Sequence, residues 1–320
     1  MQVFGHAVTQ MLVLVLLMAA GIVLRRRRYL NDGFDARLTH IVMDLALPAM
    51  IVSSVLSSES LPETGTILQL VGLSFLSYTL VAVVASLVSR LFHGASPSEQ
   101  GAHAFVITFG NVGFMGLPVL NAIFGPQAVF YGAVYNIPFN IFVFTIGIWM
   151  IGRGKEGPAG KQDPIGTRAR NLLRSVLNPT LVSCFVAIAL ALLHITYHEG
   201  VIGLTCRYLG NLTVPASMLV IGSTLGKMSV RSMLDRVSPY ASSFLRLVAV
   251  PVLVFLAFRP FVTDPLVLGV ITVTAGMPCA SLGTMLSITY GGDTATITRA
   301  TFISTACSVL TIPLLVLLLT

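Results

Sequence analysis

The stretch that decides the fold is Phe109-Gly110-Asn111-Val112-Gly113-Phe114-Met115-Gly116-Leu117-Pro118, which lies inside an otherwise apolar segment. In a helix interior each glycine costs about 1 kcal/mol relative to alanine, and a proline about 3 kcal/mol. In lipid, freed backbone groups are tolerated only where protein or a water-filled cavity surrounds them. Carriers build substrate sites from such interrupted spans at mid-membrane depth. The stretch therefore predicts a broken helix beside a binding cavity.

The composition indicates a membrane protein with many spans. The chain has 320 residues, of which 55% are hydrophobic and 10% are charged, and its mean hydropathy is +0.89. A soluble domain has about 25% charged residues. The net charge of +7 comes from basic residues in short loops, which is typical of membrane topology and argues against nucleic-acid binding.

No sequence motif indicates a metal site, a cofactor or an enzyme. The four cysteines (Cys184, Cys206, Cys279 and Cys307) form no C-x-x-C motif and no cluster with histidine. The chain also lacks H-E-x-x-H, G-x-S-x-G and Walker A sequences and an intramembrane pair of acids. We therefore predict no cofactor, no metal and no catalytic activity.

Ten segments have about the 20 apolar residues that a spanning helix needs. They are residues 3–24, 36–57, 66–92, 99–124, 126–152, 176–196, 201–225, 237–258, 264–290 and 293–319. The hydrophilic stretch 153–175 is predicted to be a cytoplasmic linker. It separates a first half, residues 1–152, from a second half, residues 176–320, with five spans each.

Loop charges predict the orientation. The loops after spans 1, 3, 5 and 7 hold 15 of the 19 basic residues. Loops rich in Lys and Arg face the cytoplasm, so both termini are expected to be extracytoplasmic. The first segment is followed by Arg25–Arg28 instead of being preceded by a basic region, so we predict a span and not a signal peptide.

Two internal matches predict that the halves are repeats. Residues 44–49 (DLALPA) correspond to 211–216 (NLTVPA), and Gly116-Leu117-Pro118 corresponds to Gly276-Met277-Pro278. Repeats with an odd number of spans must be inverted relative to each other. We therefore expect an all-α membrane protein with two inverted five-helix repeats, in which spans 4 and 9 are broken and cross.

Three stretches resemble the auxin efflux carrier family in its bacterial members: residues 110–118 (GNVGFMGLP), 290–293 (YGGD), and Ser304-Thr305 followed by 311–313 (TIP). The resemblance implies a fold related to bile-acid sodium symporters and sodium/proton antiporters. It also implies organic-anion substrates such as auxin, malonate or malate, and location in the inner membrane. A scaffold or dimerisation domain is implied as well, so a homodimer is expected.

Several residues are candidates for contacting a carboxylate substrate. Asn111 lies in the break, where its amide can bind an anion or cap the broken helix. Arg246 and Arg299 lie inside spans and can bind a carboxylate through two hydrogen bonds, although Arg299 can also extend to the membrane surface. Pro118 and Pro278 are expected to make the breaks. The full substrate set is Gly110, Asn111, Gly113, Pro118, Asn136, Asn140, Arg246, Pro278, Ser281 and Arg299.

Two residues are candidates for coupling transport to an ion. Asp44 is the one carboxylate well inside a predicted span, where it can carry a proton or bind a cation. It can also pair with a basic side chain or lie near the end of its span. His103 can titrate during transport or serve as a packing residue.

The sequence therefore predicts a secondary active transporter for mono- or dicarboxylates that works by an elevator-type alternating-access mechanism, with the substrate at the crossing of spans 4 and 9. A sodium-coupled symporter is the alternative within transport. A channel or a membrane sensor is the alternative of another class.

Overall fold

The computed structural model describes residues 2–56, 58, 63–153, 178–196, 200–227 and 236–319, and within them the chain is helical, without β-strands. The helices are α1 Gln2–Arg26, α2 Asp32–Leu56, α3 Thr64–Leu91, α4 Pro97–Thr108, α5 Val112–Phe124, α6 Pro126–Ile151, α7 Pro179–Leu192, α8 Val201–Gly226, α9 Ser238–Phe258, α10 Pro265–Ala275, α11 Leu282–Tyr290 and α12 Thr294–Leu319. The predicted linker 153–175 lies outside the described residues apart from Arg153.

The described helices lie where the apolar segments predict them. Six of them, α2, α3, α6, α8, α9 and α12, are long and apolar enough to cross a membrane. Helices α5, α7 and α10 are apolar but shorter. The chain thus has the helices of a multi-pass membrane protein, while the count of ten crossings and the inverted repeat stay predictions.

Two of the predicted spans are interrupted. Span 4 consists of α4 and α5, separated at residues 109–111, and span 9 consists of α10 and α11, separated at residues 276–281. Pro278 lies in the second break. The prediction that Pro118 makes the first break is wrong, because Pro118 lies inside continuous helix, seven residues after Asn111.

Three prolines follow wide turns of helix instead of breaking it. Turns with π geometry cover Val42–Ala46, Val112–Gly116 and Leu245–Ala249, and each ends two residues before a proline: Pro48, Pro118 and Pro251. A proline cannot donate to the carbonyl four residues earlier and clashes with it. One extra residue in the turn relieves this clash and leaves the helix continuous.

The helices pack in two groups. In the first group α1, α8, α2 and α7 lie side by side in that order, with the close approach of α1 and α8 permitted by Gly21 and Gly222. A Cβ at either glycine would overlap the backbone of the facing helix. The second group contains α3, the interrupted pairs α4–α5 and α10–α11, and helices α6, α9 and α12.

Candidate functional site

The two breaks meet and pair through their backbones. Gly110 and Cys279 form an isolated antiparallel β-bridge. The Asn111 N–H donates to the Pro278 carbonyl at 2.7 Å, and the Ala280 N–H donates to the Phe109 carbonyl at 2.9 Å. The breaks therefore satisfy part of each other's backbone, as buried polar groups require. The predicted crossing of the two interrupted helices is present.

The side chain of Arg246 fastens the crossing from the side of α9. Its Nε donates to the Met277 carbonyl at 2.8 Å, and its Nη1 donates to the carbonyls of Ile107 and Thr108 at 3.1 Å and 3.0 Å. The residue is only 3% exposed. One guanidinium thus holds carbonyl groups from both broken helices.

A cavity of about 610 Å³ lies between the two helix groups, against the crossing. Its wall on the first group comes from α2, from α7 with the residue before it, Asn178, and from α8. Its wall on the second group comes from the break and start of α5, from α6, from the start of α11 and from α12. A ligand in this cavity would touch both groups.

The cavity wall is mostly apolar and nearly free of charge. Four phenylalanines contribute to it: Phe114, Phe139, Phe144 and Phe302. Its polar side chains are amides, hydroxyls, one thiol and the carboxylate of Asp44. Among the described lining residues there is no lysine, arginine or histidine. An anion here would be bound by neutral donors.

Backbone N–H groups without acceptors are present at two helix N-termini of the cavity. Gly113 and Phe114 are the second and third residues of α5, Ser281 is the residue before α11 and Leu282 is its first residue, and all four line the cavity. None of these N–H groups has a hydrogen-bond acceptor among the described residues. A helix N-terminus carries about half a positive charge and binds anions. The crossing brings two such N-termini to one cavity.

Two asparagines on the wall have free hydrogen-bonding capacity. Asn111 lines the cavity, and its side chain does not cap α5. Asn136 lines the cavity from a kink in α6, and its buried Oδ1 has no donor among the described residues. Asn140 lies one turn further and donates to the Asn136 carbonyl at 3.4 Å. The Asn111 amide and the Asn136 Oδ1 are thus free to bind a ligand.

The cavity brings together seven of the twelve candidate residues. Those that line it are Asp44, Gly110, Asn111, Gly113, Asn136, Asn140 and Ser281. The other five do not: Pro118, Pro278 and Arg246 lie buried behind the wall, and Arg299 lies partly exposed in the second turn of α12.

His103, the last of the five candidates that do not line the cavity, is fully buried in α4. Its ring stacks on Phe92 with centroids 4.1 Å apart, and its Nε2 lies 3.8 Å from a Glu99 carboxylate oxygen. In the part of the chain that the structure describes, neither ring nitrogen has a partner within hydrogen-bond distance. His103 therefore packs at a distance from the cavity.

Asp44 lies in the π turn of α2, on the wall that faces the crossing. Its side chain is 55% exposed, and one carboxylate oxygen lies 3.6 Å from Nδ1 of His40. Such turns are frequent at functional sites. Asp44 is the one carboxylate among the described residues of the cavity wall, so a ligand there lies near its negative charge.

Six further polar residues of the wall were not predicted: Thr39, Asn178, Thr180, Thr224, Thr301 and Thr305. The five threonines lie in helices, where a hydroxyl commonly bonds back to its own helix. Thr224 and Thr305 do so, with Val220 and Thr301 as acceptors. The adjacent pair Ser304-Thr305 belongs to the family-like stretches, so this part of α12 carried a sequence signal.

Comparison with known proteins gives one family and two relatives. The sequence model of the family described as "membrane transport protein" matches residues 6–316. A protein of Methanothermobacter thermautotrophicus described as an uncharacterized transporter is 26% identical over 313 residues, which cover 97% of this chain and 96% of that protein. A protein of Methanocaldococcus jannaschii with the same description is 22% identical over 306 residues, which cover 95% of this chain and 96% of that protein.

Proposed function

Since this chain belongs to the membrane transport protein family, we propose that it is a secondary transporter of small organic anions and prefers those with one carboxylate and an apolar body. The family match confirms the resemblance to the auxin efflux carriers and makes this chain a membrane transporter. The substrate class, the coupling and the mechanism are the proposal.

The observation that carries the proposal is the set of free N–H groups at the crossing. Gly113 and Phe114 on one side, and Ser281 and Leu282 on the other, present four donors to one cavity. Asn111 lines the same cavity. Hydrogen bonds to a charged acceptor are stronger than those between neutral groups. A carboxylate is an anion that such donors can bind.

The rest of the wall favours a single charge. A second carboxylate would find no cationic side chain among the described lining residues and would meet the carboxylate of Asp44. Burying an unpaired charge costs several kcal/mol. The four phenylalanines offer an apolar surface to the remainder of the ligand. We therefore favour monocarboxylates over dicarboxylates such as malonate and malate.

The position of the cavity supports an elevator-type mechanism. The N–H donors belong to the second helix group, whereas Asp44, Thr180 and Thr224 belong to the first. In this mechanism the second group moves with its bound anion past the first group, which stays fixed in the membrane. Asp44 is then placed to exchange a proton or a cation as the substrate passes. His103, within the moving group, is a second candidate for proton coupling.

The remaining parts of the proposal concern the cell. We expect the protein in the inner membrane, with both termini extracytoplasmic, because loops rich in arginine and lysine stay in the cytoplasm. A homodimer formed by the first helix group is the expected assembly.

Reconstitution into liposomes tests the proposal. Labelled indole-3-acetate and benzoate serve as monocarboxylate probes, and malonate and malate as dicarboxylate probes, under separate pH, sodium and voltage gradients. We expect saturable uptake of a monocarboxylate that unlabelled monocarboxylates inhibit and dicarboxylates inhibit poorly. Preference for dicarboxylates would contradict the single-charge site. Currents without saturable flux would indicate a channel, and no movement of any organic anion would refute the substrate class.

A further inference from the structure

The guanidinium of Arg246 lies at the C-terminal ends of two half-helices. Ile107 and Thr108, whose carbonyls it binds, are the last residues of α4, and Met277 comes two residues after α10. The last carbonyls of a helix lack partners within it and carry partial negative charge. The crossing therefore concentrates negative potential where Arg246 places a positive charge.

In carriers with interrupted helices, unwound carbonyls and half-helix C-termini are the groups that bind a coupling cation. Here those groups are already hydrogen-bonded to a side chain. We propose that Arg246 is the fixed cation of this crossing: its guanidinium takes the place of a bound metal ion, so the protein neither binds nor needs sodium there. The inference concerns the crossing itself and holds whichever anion is carried.

The donors of Arg246 are committed to the backbone and not to a substrate. Nε and Nη1 make three hydrogen bonds, all to carbonyl oxygens. The side chain is buried and does not line the large cavity. In the described part of the chain, no carboxylate forms an ion pair with it. Backbone dipoles alone therefore balance its charge.

A sodium ion at the same carbonyls would lie beside the guanidinium. Two unit charges about 4 Å apart in surroundings of effective dielectric 20 repel enough to weaken binding by roughly a thousandfold. Arginine keeps its charge in proteins, so deprotonation does not relieve this repulsion. The residues at the crossing thus do not fit the sodium site that the resemblance to bile-acid symporters implies.

The geometry of Gly110 supports a permanent place for the guanidinium. A Cβ at Gly110 would overlap Nη2 of Arg246. The backbone in the break thus comes so close to the guanidinium that residue 110 has no room for a side chain. Such a close fit is typical of a permanent part of the structure, because a metal ion that binds and dissociates would need a path into the crossing.

The first test is the melting temperature of the purified wild-type protein as sodium replaces choline at constant ionic strength. Any ligand that binds only the folded state raises this temperature. We expect no difference between the two salts. A saturable rise that is specific to sodium and also occurs in the Asp44→Asn variant would overturn the proposal. This measurement needs no substrate, so it stands even if the proposed substrate class is wrong.

The second test removes the cation. Arg246→Met leaves the carbonyls of Ile107, Thr108 and Met277 without their donors, so we expect a lower melting temperature that methylguanidinium at low concentration partly restores. The control is Arg259→Ala, which removes an exposed arginine at the end of the same helix. We expect this variant to keep the wild-type melting temperature and to gain no stability from methylguanidinium. An Arg246→Met variant as stable as wild type would overturn the proposal.

A third variant covers the case in which Arg246→Met does not fold. Arg246→Lys keeps a positive charge at the crossing but offers a less extended set of donors. We expect it to fold with a reduced melting temperature and to gain no stability from sodium. Sodium-specific stabilisation of this variant would contradict the role of the fixed charge.

Discussion

Nη2 of Arg246 fills the space that a side chain at Gly110 would need, so the break in one helix and the arginine of another fit each other at a single point. The break at residue 110 is therefore shaped by packing as well as by helix propensity. We therefore expect a side chain at residue 110 to lower the stability of the protein.

Gly110→Ala should destabilise the protein by about 1–3 kcal/mol, the usual cost of overpacking a buried site. The measurement is the thermal or denaturant midpoint in detergent. Gly72→Ala is the control, because a Cβ at Gly72 in α3 meets nothing within 4 Å and alanine favours helix. The double variant with Arg246→Met should lose less stability than the two single variants combined, because methionine removes the Nη2 atom with which the new Cβ clashes. Full additivity would show that the clash is not the cause.

Asn111→Ala should weaken binding of a monocarboxylate while the protein stays folded. Loss of a hydrogen bond to a charged group costs about 1.5–3 kcal/mol, so affinity should fall by roughly ten- to hundredfold. Substrate-dependent stabilisation and uptake into liposomes measure this. Asn121→Ala is the control, because Asn121 lies in α5, the helix that follows Asn111, and does not line the cavity. Unchanged affinity in the Asn111 variant would remove Asn111 from the site.

Asn136→Leu should separate stability from recognition. The buried Oδ1 of Asn136 has no donor, and such a group costs about 1–3 kcal/mol, so leucine should not lower the melting temperature. Affinity for indole-3-acetate, whose ring N–H can donate to Oδ1, should fall by about fivefold, the value of one neutral hydrogen bond. Affinity for benzoate, which has no such donor, should stay nearly constant. Equal losses for both probes would contradict this assignment.

Asp44→Asn should raise the affinity for anions and remove the response to a pH gradient. A carboxylate on the facing wall opposes a bound anion by about 1 kcal/mol in partly solvated surroundings, or roughly fivefold in affinity. Uptake into liposomes with and without an imposed pH gradient measures both the anion affinity and the response to the gradient. Glu63→Gln changes an exposed carboxylate that does not line the cavity and should have neither effect. A pH response identical to wild type would exclude Asp44 as the proton carrier.

The positions of the helices were predictable because lipid imposes a strong length and hydropathy constraint on each span. The exact site of a break was harder to predict. Pro118 looked like a helix breaker, yet it follows the π turn Val112–Gly116 inside α5, and the chain leaves helical geometry at Gly110 and Asn111.

The site was predictable only where unusual residues marked it. Asn111, Asn136 and Ser281 were identified because polar residues beside helix breaks are uncommon in spans. Thr301 and Thr305 were not, because a threonine in an apolar helix has the same sequence signature whether or not it faces a cavity. The partners of Arg246 are main-chain carbonyls, and a sequence gives no sign of which backbone groups a fold leaves free.

The bridge between Gly110 and Cys279 also bears on how such a protein can change during evolution. Its hydrogen bonds join main-chain atoms, and substitutions do not remove main-chain atoms unless they introduce proline. Side chains along the cavity can therefore be exchanged one at a time while the crossing persists. A lineage can acquire a new substrate through Asn111, Asn136 or the phenylalanines without passing through an intermediate that has lost its architecture.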